Sequence, residues 1–380
     1  MDYEYIILFA LAFIVAFSAT PIVRKLAFKI GAVDIPKDSR RMHNKPIARL
    51  GGMAIFSGFI VALMFGVIST FLGVSGISLN KQLLGLLVGV SIIVGIGIID
   101  DIKQLGAKFK LVFQIIAALC VVFISDTRIT NLTNPFASEG VSQLNDITSY
   151  VLTVFWIIGI TNAINLIDGL DGLAAGVSSI SYLSLFFISI LNGESSDATI
   201  IAILAGATLG FLPYNFNPAK IFMGDTGSTF LGFTLAVVSI EGMMKTYAAF
   251  SIAIPLLVLG LPLFDTISTI IRRVLKGKPI MQADREHLHH RLIDMGLSQK
   301  QSVGVMYVAS AALGLCAVVL TDRGVLGAIV LIASVSVFII AGARYMSEME
   351  DVEIEEKEEK EGNKRSIGNL SIKKVKDAER

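Results

Sequence analysis

Long apolar runs recur along the chain, and they constrain its fold more than any other feature. Each run is about 17 to 24 residues long, enough for an α-helix to cross roughly 30 Å of hydrocarbon. Open sheets would leave backbone groups unpaired in lipid, so the runs are expected to be helical. Charged residues make up only 17% of the 380 residues, compared with about 25% in soluble domains. The sequence therefore predicts an all-α integral membrane protein.

About 11 transmembrane helices are expected from the number and length of these runs. Their predicted positions are residues 4–23, 50–72, 83–99, 110–125, 148–167, 173–192, 198–213, 228–244, 247–271, 302–320 and 324–343. In the ninth run, Pro255 and Pro262 predict a kink, because proline removes a helical hydrogen bond.

The distribution of Lys and Arg predicts the orientation, because cytoplasmic loops carry an excess of both. Residues 24–49, between the first two predicted helices, hold eight of them, and residues 272–300 hold seven. With 11 helices these two segments fall on the same side, which is then the cytoplasm. The N-terminus is predicted to lie outside and the C-terminus inside.

The C-terminal end differs from the rest of the chain in composition. Residues 345–380 are highly charged and have no periodicity that could form a core. We therefore predict a polytopic membrane domain over residues 1–344 and a charged, disordered cytoplasmic tail over residues 345–380.

Asp, Asn and His residues gather at the predicted cytoplasmic ends of the helices. They are Asp100, Asp101, Asn162, Asn165, Asp168, Asp171, Asn215, Asn217, Asp225, Asp265, His287, His289 and His290. An ionised side chain at membrane depth costs at least about 2.5–3.5 kcal/mol, and converging carboxylates repel one another. A divalent cation, with Lys and Arg from the two basic segments around it, would offset both costs.

The types of side chain indicate which cation is expected. Asp and Asn oxygens suit a hard ion, Mg²⁺ in particular when phosphate oxygens complete its coordination, with Mn²⁺ as the alternative. Zinc would favour Cys and His ligands, and the His-x-His-His run has no paired cysteine or matching spacing elsewhere. These histidines and Arg291 are better interpreted as holding a polyanion such as a diphosphate.

Two Asp-Gly steps, Asp168-Gly169 and Asp171-Gly172, precede a predicted helix. Backbone amides at helix N-termini favour anionic ligands. Phe222 lies in a polar loop, where it is either an interfacial anchor or a flat surface on which a nucleobase stacks.

Some of these features have simpler explanations when each is taken alone. Gly95 and Gly97 are followed by Asp100 in a pattern similar to a dinucleotide loop, but inside a predicted span they favour close helix packing. An Asp-Asp pair at a helix end is a common surface feature, and Asp265 could hydrogen-bond a neighbouring helix. The coincidence of all the acidic and Asn clusters on one side nevertheless indicates an anionic, metal-bound substrate at the membrane surface. Phosphoryl chemistry between a water-soluble and a lipid partner is the resulting hypothesis.

Six motifs occur in an order typical of one family. They are DIPKDSRRMHNKPIARLGG (34–52), GIIDDIKQLGAKFKLVFQ (97–114), TNAINLIDGLDGLAAG (161–176), YNFNPAKIFMGDTGS (214–228), PLFDT (262–266) and DREHLHHRL (284–292). The set resembles the bacterial polyprenyl-phosphate N-acetylhexosamine-1-phosphate transferases, which start teichoic acid, O-antigen or related polymers. Each motif alone is weakly specific, whereas the ordered set is strongly specific.

The resemblance implies an Mg²⁺-dependent transfer of an N-acetylhexosamine-1-phosphate, by default GlcNAc-1-phosphate, from a UDP-sugar to undecaprenyl phosphate, releasing UMP. The implied setting is the bacterial plasma membrane, with the active site facing the cytoplasm. The implied partners are the two substrates and membrane lipids, with no nucleic acid, and relatives in the wider superfamily make a homodimer an option.

The resemblance also implies roles for individual residues. Asp225 and Asn165 resemble the Mg²⁺ ligands, and Asp100 and Asp101 resemble the catalytic pair. The positions similar to uridine-binding residues are Asp168, Gly169, Asp171 and Phe222. Those similar to diphosphate- and sugar-binding residues are His287, His289, His290 and Arg291, with Asn162 and Asp265 in supporting roles. Direct attack by the lipid phosphate is favoured over a covalent aspartyl intermediate, because a phosphate dianion is already a competent nucleophile.

One position departs from the pattern of some members, which carry a lysine four residues after the first aspartate of the pair. Here that residue is Gln104. Lys103, Lys108 and Lys110 are therefore all candidates for contact with the lipid phosphate.

Three alternatives fit the sequence less well. The phospho-MurNAc-pentapeptide transferases carry a different histidine run. An ion-coupled transporter would place polar groups near the bilayer midplane and often shows internal repeats. The CDP-alcohol phosphotransferases space their aspartates more widely and carry an Ala-Arg step that is missing here.

Overall fold

A computed structural model describes residues 3–36, 45–73, 77–133, 141–245, 252–277 and 287–322, with the single positions 327 and 329. The chain divides into two compact units, Met1–Gly324 and Val325–Arg380. The second unit lies almost entirely outside the described residues, as does most of the predicted last span, 324–343. The predicted boundary at residue 344 and the tail 345–380 also lie outside them and stay predictions.

The described part of the first unit is almost wholly helical. Its helices are α1 (Glu4–Ile30), α2 (Gly52–Phe71), α3 (Lys81–Lys103), α4 (Ala107–Ser125), α5 (Asp146–Ile167), α6 (Leu173–Leu191), α7 (Ser195–Asn215), α8 (Gly224–Lys245), α9 (Ala253–Val258), α10 (Gly260–Leu275), α11 (Leu288–Asp294) and α12 (Gln299–Asp322).

Two short antiparallel ribbons occur between helices. β1 (Val33–Asp34) pairs with β2 (Ile47–Ala48), and β3 (Asn131–Thr133) pairs with β4 (Val141–Gln143). Both ribbons lie outside the long helices, so they are compatible with the predicted all-α membrane class.

Eight of the described helices are long and apolar enough to cross a membrane: α1 to α7 and α12. Many of their outward-facing side chains are large and apolar, such as Phe123, Phe155 and Phe187, each more than half exposed. Such surfaces are expected of helices that face lipid. The predicted class of integral membrane protein is confirmed by these helices.

Helix α8, predicted as a span over 228–244, is not among the eight. It carries Thr226, Ser228, Thr229 and Thr234, and it packs against α2, α3, α5 and α6. Its side chains from Thr226 to Glu241 are all buried. A helix surrounded by protein rather than lipid can carry such polar residues, so its hydropathy is lower than that of the outer helices.

The ninth predicted run is interrupted at one residue, within the segment where Pro255 and Pro262 predict a kink. Helix α9 ends at Val258 and α10 begins at Gly260, so Leu259 separates them. The break falls between Pro255 and Pro262, neither of which can donate a backbone hydrogen bond.

Helices α3, α5 and α7 end, and α4, α6 and α8 begin, at one end of the bundle. The pairs Lys110–Asp100 and Lys110–Asp225 join the ends of α3, α4 and α8 there. At the other end, Arg128 after α4 pairs with Asp146 at the start of α5. The loops that carry the predicted site residues are therefore brought together at a single end.

Candidate active site

A cavity of about 880 Å³ opens at this end of the bundle. Its lining is rich in charged and amide side chains: Arg24, Asp34, Lys45, Arg49, Asn165, Asp168, Asp171, Asn215, Asn217, Lys220, Asp225, His290 and Gln299. Phe222, Gly169 and Pro218 also line it. The cavity could therefore contact both negatively and positively charged groups of a ligand.

Three carboxylates meet at the inner wall of the cavity. Asp100 and Asp101 end α3, Asp225 begins α8, and each offers an oxygen within 4.8 Å of the others. Asp225 lines the cavity, whereas Asp100 and Asp101 are each only 3% exposed. Two like charges about 4 Å apart repel by about 4 kcal/mol at an effective dielectric constant near 20. The cluster therefore requires positive charge.

Two basic side chains supply that charge within the chain. The Nζ atom of Lys110 lies 2.5 Å from Asp225 Oδ2 and 3.3 Å from Asp100 Oδ2. The guanidinium of Arg49 lies 3.2 Å from Asp101 Oδ1 through Nε and 3.3 Å from Asp225 Oδ1 through Nη2. Each cation therefore bridges Asp225 to one carboxylate of the α3 pair.

The donor set fits a hard divalent cation. Carboxylate oxygens of this kind are the ligands that Mg²⁺ and Mn²⁺ prefer. Asn165, which lines the same cavity, donates its Nδ2 hydrogen to Ser228 Oγ at 2.8 Å, which leaves its carbonyl oxygen as an acceptor. The predicted metal ligands Asp225 and Asn165 thus line the same cavity.

Of the three candidate lysines, Lys110 is the one whose ammonium group reaches the carboxylates. Lys103 and Lys108 are exposed. Gln104 begins the turn after α3 with a left-handed backbone, φ 53°, and the next residue, Leu105, donates its N–H to Asp100 Oδ1 at 2.6 Å. Gln104 stands where some family members carry a lysine, and the turn that it begins still holds Asp100 in place through the N–H of Leu105.

Arg49 is a site residue that sequence reasoning missed. It lies in the first motif, 34–52, and is one of the eight basic residues of segment 24–49, but nothing in its local pattern distinguishes it from its basic neighbours. Backbone contacts explain its placement: Phe222 N–H donates to Ala48 O at 2.8 Å, and Gly51 N–H donates to Phe222 O at 3.0 Å. The segment before α2 is thus joined to the loop before α8.

The predicted uridine-binding residues lie in the cavity wall but differ in their contacts. Asp171 Oδ2 accepts hydrogen bonds from Asn217 Nδ2 at 3.0 Å and Ala219 N at 2.9 Å, so it also holds the loop before α8. Asp168 follows the last residue of α5. Burial, together with the nearby charges of Asp225 and Asp101, raises the pKa of Asp168 to about 7.

The histidine run is divided between two environments. His290 lines the cavity, whereas His287 and His289 are buried. His287 Nδ1 lies 2.9 Å from Asp265 Oδ2, and Leu288 N–H donates to Asp265 Oδ1 at 2.7 Å. Asp265 therefore fixes the start of α11, which is consistent with a supporting role.

His289 packs against the first Asp-Gly step, where a Cβ atom at Gly169 would overlap its ring. Neither of its ring nitrogens has a hydrogen-bond partner among the described residues. Burial lowers the pKa of His289 to about 3, so its imidazole is neutral at physiological pH.

Two further predicted residues lie away from the cavity lining. Arg291 is exposed on α11. Asn162 Nδ2 donates to Gln114 Oε1 at 2.7 Å, so it joins α5 to α4 one turn before Asn165.

Comparison with known proteins gives matches over most of the chain. The chain is 40% identical over 315 residues to a protein of Bacillus subtilis (strain 168) named "Probable undecaprenyl-phosphate N-acetylglucosaminyl 1-phosphate transferase", covering 83% of this chain and 84% of that protein. A family model described as "Glycosyl transferase family 4" matches residues 83–243. The chain belongs to glycosyl transferase family 4.

Two other relatives support this assignment to family 4. The decaprenyl-phosphate N-acetylglucosaminephosphotransferase of Mycobacterium tuberculosis (strain CDC 1551 / Oshkosh) is 35% identical over 316 residues, 78% of each chain. The undecaprenyl-phosphate alpha-N-acetylglucosaminyl 1-phosphate transferase of Salmonella typhi is 30% identical over 296 residues, 77% of each chain. The family predicted from the ordered motifs is confirmed by these matches.

The family 4 match includes helices α3 to α8 and therefore the three-carboxylate cluster, Lys110 and Asn165. Arg49 and the histidine run lie outside the matched residues. Within the match, all three carboxylates come from the end of α3 and the start of α8, two helices that pack against each other.

Proposed function

We propose that this protein transfers GlcNAc-1-phosphate from UDP-N-acetylglucosamine to undecaprenyl phosphate, releasing UMP and forming a lipid-linked diphosphate sugar. The observation that carries the proposal is the cluster of Asp100, Asp101 and Asp225 with Lys110 and Arg49, at the wall of a large polar cavity at one end of a membrane helix bundle. The names of the three relatives supply the substrate class, since each names a polyprenyl phosphate and N-acetylglucosamine.

Mg²⁺, with Mn²⁺ as a substitute, is proposed as the cofactor, held by Asp225 and Asn165. When bound, it supplies positive charge to the diphosphate and to the leaving UMP. Asp225 is suited to this role because it lines the cavity and its Oδ2 atom is held by the end of one long side chain, Lys110, which a bound cation would replace.

Lys110 is proposed to bind the phosphate of the lipid acceptor. Its ammonium group already lies between Asp100 and Asp225, so it can hold the acceptor oxygen beside the β-phosphorus of the UDP-sugar. In the transfer, an oxygen of the lipid phosphate bonds to the β-phosphorus, and the bond from that phosphorus to the bridging oxygen breaks. UMP leaves with the bridging oxygen and its electron pair. Asp100 orients Lys110 and accepts any proton that the lipid phosphate still carries.

The uridine is proposed to lie against Phe222, near Asp168 and Gly169. A phenylalanine ring in the wall of a polar cavity offers a flat face for a base, and such stacking is worth about 1–3 kcal/mol. His290, which lines the cavity, is proposed to meet the diphosphate and sugar end. Arg291 is assigned to the same end from the resemblance alone, and the buried His287 and His289 are proposed to support the start of α11.

The cavity is proposed to face the cytoplasm of a bacterial cell, with the N-terminus outside and the C-terminus inside. The basic segments 24–49 and 272–300 favour this orientation, and Arg24, Lys45 and Arg49 line the cavity itself. A homodimer stays a prediction. Synthesis of a cell-wall or surface polysaccharide such as a teichoic acid or O-antigen is the expected use of the product.

UMP release tests the proposal. Purified protein would be given undecaprenyl phosphate and a panel of UDP-sugars that includes UDP-GlcNAc, UDP-GalNAc and UDP-MurNAc-pentapeptide, with Mg²⁺ or with EDTA. We expect release that needs both the lipid and Mg²⁺, with UDP-GlcNAc preferred, and we expect Asp225→Asn to abolish it. If UMP were released only from UDP-MurNAc-pentapeptide, that compound would replace UDP-GlcNAc as the assigned donor. No release from a folded wild-type protein would exclude the proposed reaction.

A further inference from the structure

Asp101 is surrounded by hydrogen-bond donors in a way that Asp100 and Asp225 are not. Its Oδ1 atom accepts from Asp225 N at 2.8 Å and lies 3.2 Å from Arg49 Nε. Its Oδ2 atom accepts from Thr226 N at 3.0 Å and Thr226 Oγ1 at 2.6 Å. A carboxylate has about four acceptor positions, so these four donors occupy them all.

The burial of Asp101 is consistent with a carboxylate whose acceptor positions are all occupied by donors from the protein. Its side chain is 0% exposed, whereas that of Asp225 is 17% exposed and lines the cavity. Gly224 lies directly beneath the Asp101 carboxylate, since a Cβ atom there would overlap Oδ2, and its backbone is left-handed at φ 72°. The carboxylate therefore lies against the first turn of α8, and no acceptor position is directed at the cavity.

The donors on Asp101 come mostly from the first residues of α8, whereas those on Asp225 come from two partly exposed side chains. Three of the four groups on Asp101 belong to residues 225 and 226, two of them backbone amides at the start of α8. The groups on Asp225 are the ends of Lys110 and Arg49, whose side chains are 24% and 20% exposed. A ligand in the cavity could displace the Lys110 contact of Asp225 more readily than any contact of Asp101.

Arg49 connects the two carboxylates with one rigid group. Its Nε atom faces Asp101 and its Nη2 atom faces Asp225, which is the forked arrangement that only arginine offers. The backbone of Arg49 is itself fixed by a parallel bridge to Phe222. The position of Asp225 is therefore defined from its backbone side by Asp101 and from its side-chain end by Arg49.

We propose that Asp101 and Arg49 are positioning residues that fix the carboxylate of Asp225, and that Asp101 neither binds the metal nor transfers a proton. This inference rests on the proposed function and refines the roles of the Asp100–Asp101 pair. Asp100 is then the member of the pair that works with Lys110 and the acceptor phosphate.

Mn²⁺ binding without substrate tests the role of Asp101. Electron paramagnetic resonance would measure the affinity of the full-length protein and its Asp101→Asn and Asp225→Asn variants for Mn²⁺. We expect Asp225→Asn to lose binding, and Asp101→Asn to keep it within about tenfold while kcat falls about 10–100-fold, the range typical of residues that orient ligands. The KM for UDP-GlcNAc should stay unchanged. Loss of Mn²⁺ binding in Asp101→Asn as complete as in Asp225→Asn would make Asp101 a ligand and overturn the proposal.

Thr226 provides a second test if Asp101→Asn does not fold. Thr226→Val removes one donor and leaves the carboxylate in place, and Thr226→Ser restores the hydroxyl. We expect kcat to fall about tenfold in Thr226→Val and to recover in Thr226→Ser, with Mn²⁺ binding retained in both. A wild-type kcat in Thr226→Val would contradict the positioning role.

Arg128 supplies a matched control for Arg49, because it also contacts two carboxylates, Asp126 at 3.2 Å and Asp146 at 2.7 Å, at the other end of the bundle. Arg49→Lys keeps the charge and loses the fork, so we expect kcat to fall about tenfold, while Arg128→Lys keeps the wild-type rate. An unchanged kcat in Arg49→Lys would overturn the positioning role of Arg49, because lysine keeps the charge without the forked contact. If the wild-type protein released no UMP, the proposed reaction would fail, and the comparison of Mn²⁺ affinities would still decide whether Asp101 is a ligand.

Discussion

Asp168 lies close enough to Asp101 and Asp225 for the charges of these carboxylates to raise its pKa. Its pKa is raised to about 7 by burial and by Asp225 and Asp101, compared with about 4 in an unfolded chain. Between these two values the folded protein keeps a proton that the unfolded chain releases. The contribution of this group to stability is therefore lost as the pH rises from about 4 to about 7, and above that range it no longer changes with pH.

The pH dependence of melting is expected to show this effect in metal-free protein. With EDTA present, the melting temperature of the wild type minus that of Asp168→Asn should fall between about pH 5 and 7 and level off above it. Thermal unfolding in detergent, followed by circular dichroism, would measure both proteins. A difference that stays constant with pH would show that Asp168 ionises with an ordinary pKa.

At the residue scale, the sequence located the acidic residues better than the basic ones. Asp100, Asp101 and Asp225 were recognisable because carboxylates at the ends of apolar runs are costly and therefore informative. Arg49 could not be recognised in this way, because many basic residues occur in the same segment. Its place in the site depends on the backbone bridge to Phe222, a long-range contact that the local sequence does not show. The burial of His289 could not be predicted either. It depends on a long-range contact with Gly169, where a side chain would overlap the imidazole ring.

At the scale of elements, glycine determines how closely α8 approaches its neighbours. A Cβ atom at Gly97 on α3 would overlap the backbone of Thr226, and one at Gly52 on α2 would overlap the backbone of Gly227. These contacts bring the first turn of α8 against α3, where Asp101 accepts its amides. The same close approach that packs the bundle therefore assembles the carboxylate cluster.

Gly97 and Gly95 offer a matched pair on one helix. Close packing was predicted for both, and it is found at Gly97, whereas a Cβ atom at Gly95 would meet nothing within 4 Å. Gly97→Ala should destabilise the protein by about 1–3 kcal/mol through overpacking and reduce UMP release. Gly95→Ala should keep the wild-type melting temperature or raise it, because alanine is the better helix former. Equal melting temperatures for the two variants would contradict the packing described for α3 and α8.

The elements themselves could be predicted only as far as their hydropathy allowed. Helices exposed to lipid need apolar side chains, so α1 to α7 and α12 correspond closely to predicted runs. The apolar run 228–244 also predicts helix α8, but hydropathy alone does not show that protein surrounds it. Pro255 and Pro262 predict a kink in the ninth run but do not show that the helix is interrupted at Leu259.

At the scale of the whole molecule, the remaining question is which end of the bundle faces the cytoplasm. The charge distribution predicts that the cavity end does, because both basic segments connect helices there. The cost of moving charged loops across a membrane is the physical basis of this prediction. It also suits a reaction whose sugar donor is a water-soluble nucleotide.

Two exposed serines at opposite ends of the bundle can test this orientation. Ser195 begins α7, whose other end at Asn215 lines the cavity, and Ser298 lies beside Gln299, which also lines it. Each would be changed to cysteine in a chain whose own Cys120 and Cys316 are replaced by serine. A membrane-impermeant maleimide should label Ser195→Cys in intact cells, and should label Ser298→Cys only after the cells are permeabilised. The reverse pattern would place the cavity outside the cell, where UDP-sugars are scarce, and would require a different donor for any reaction at this site.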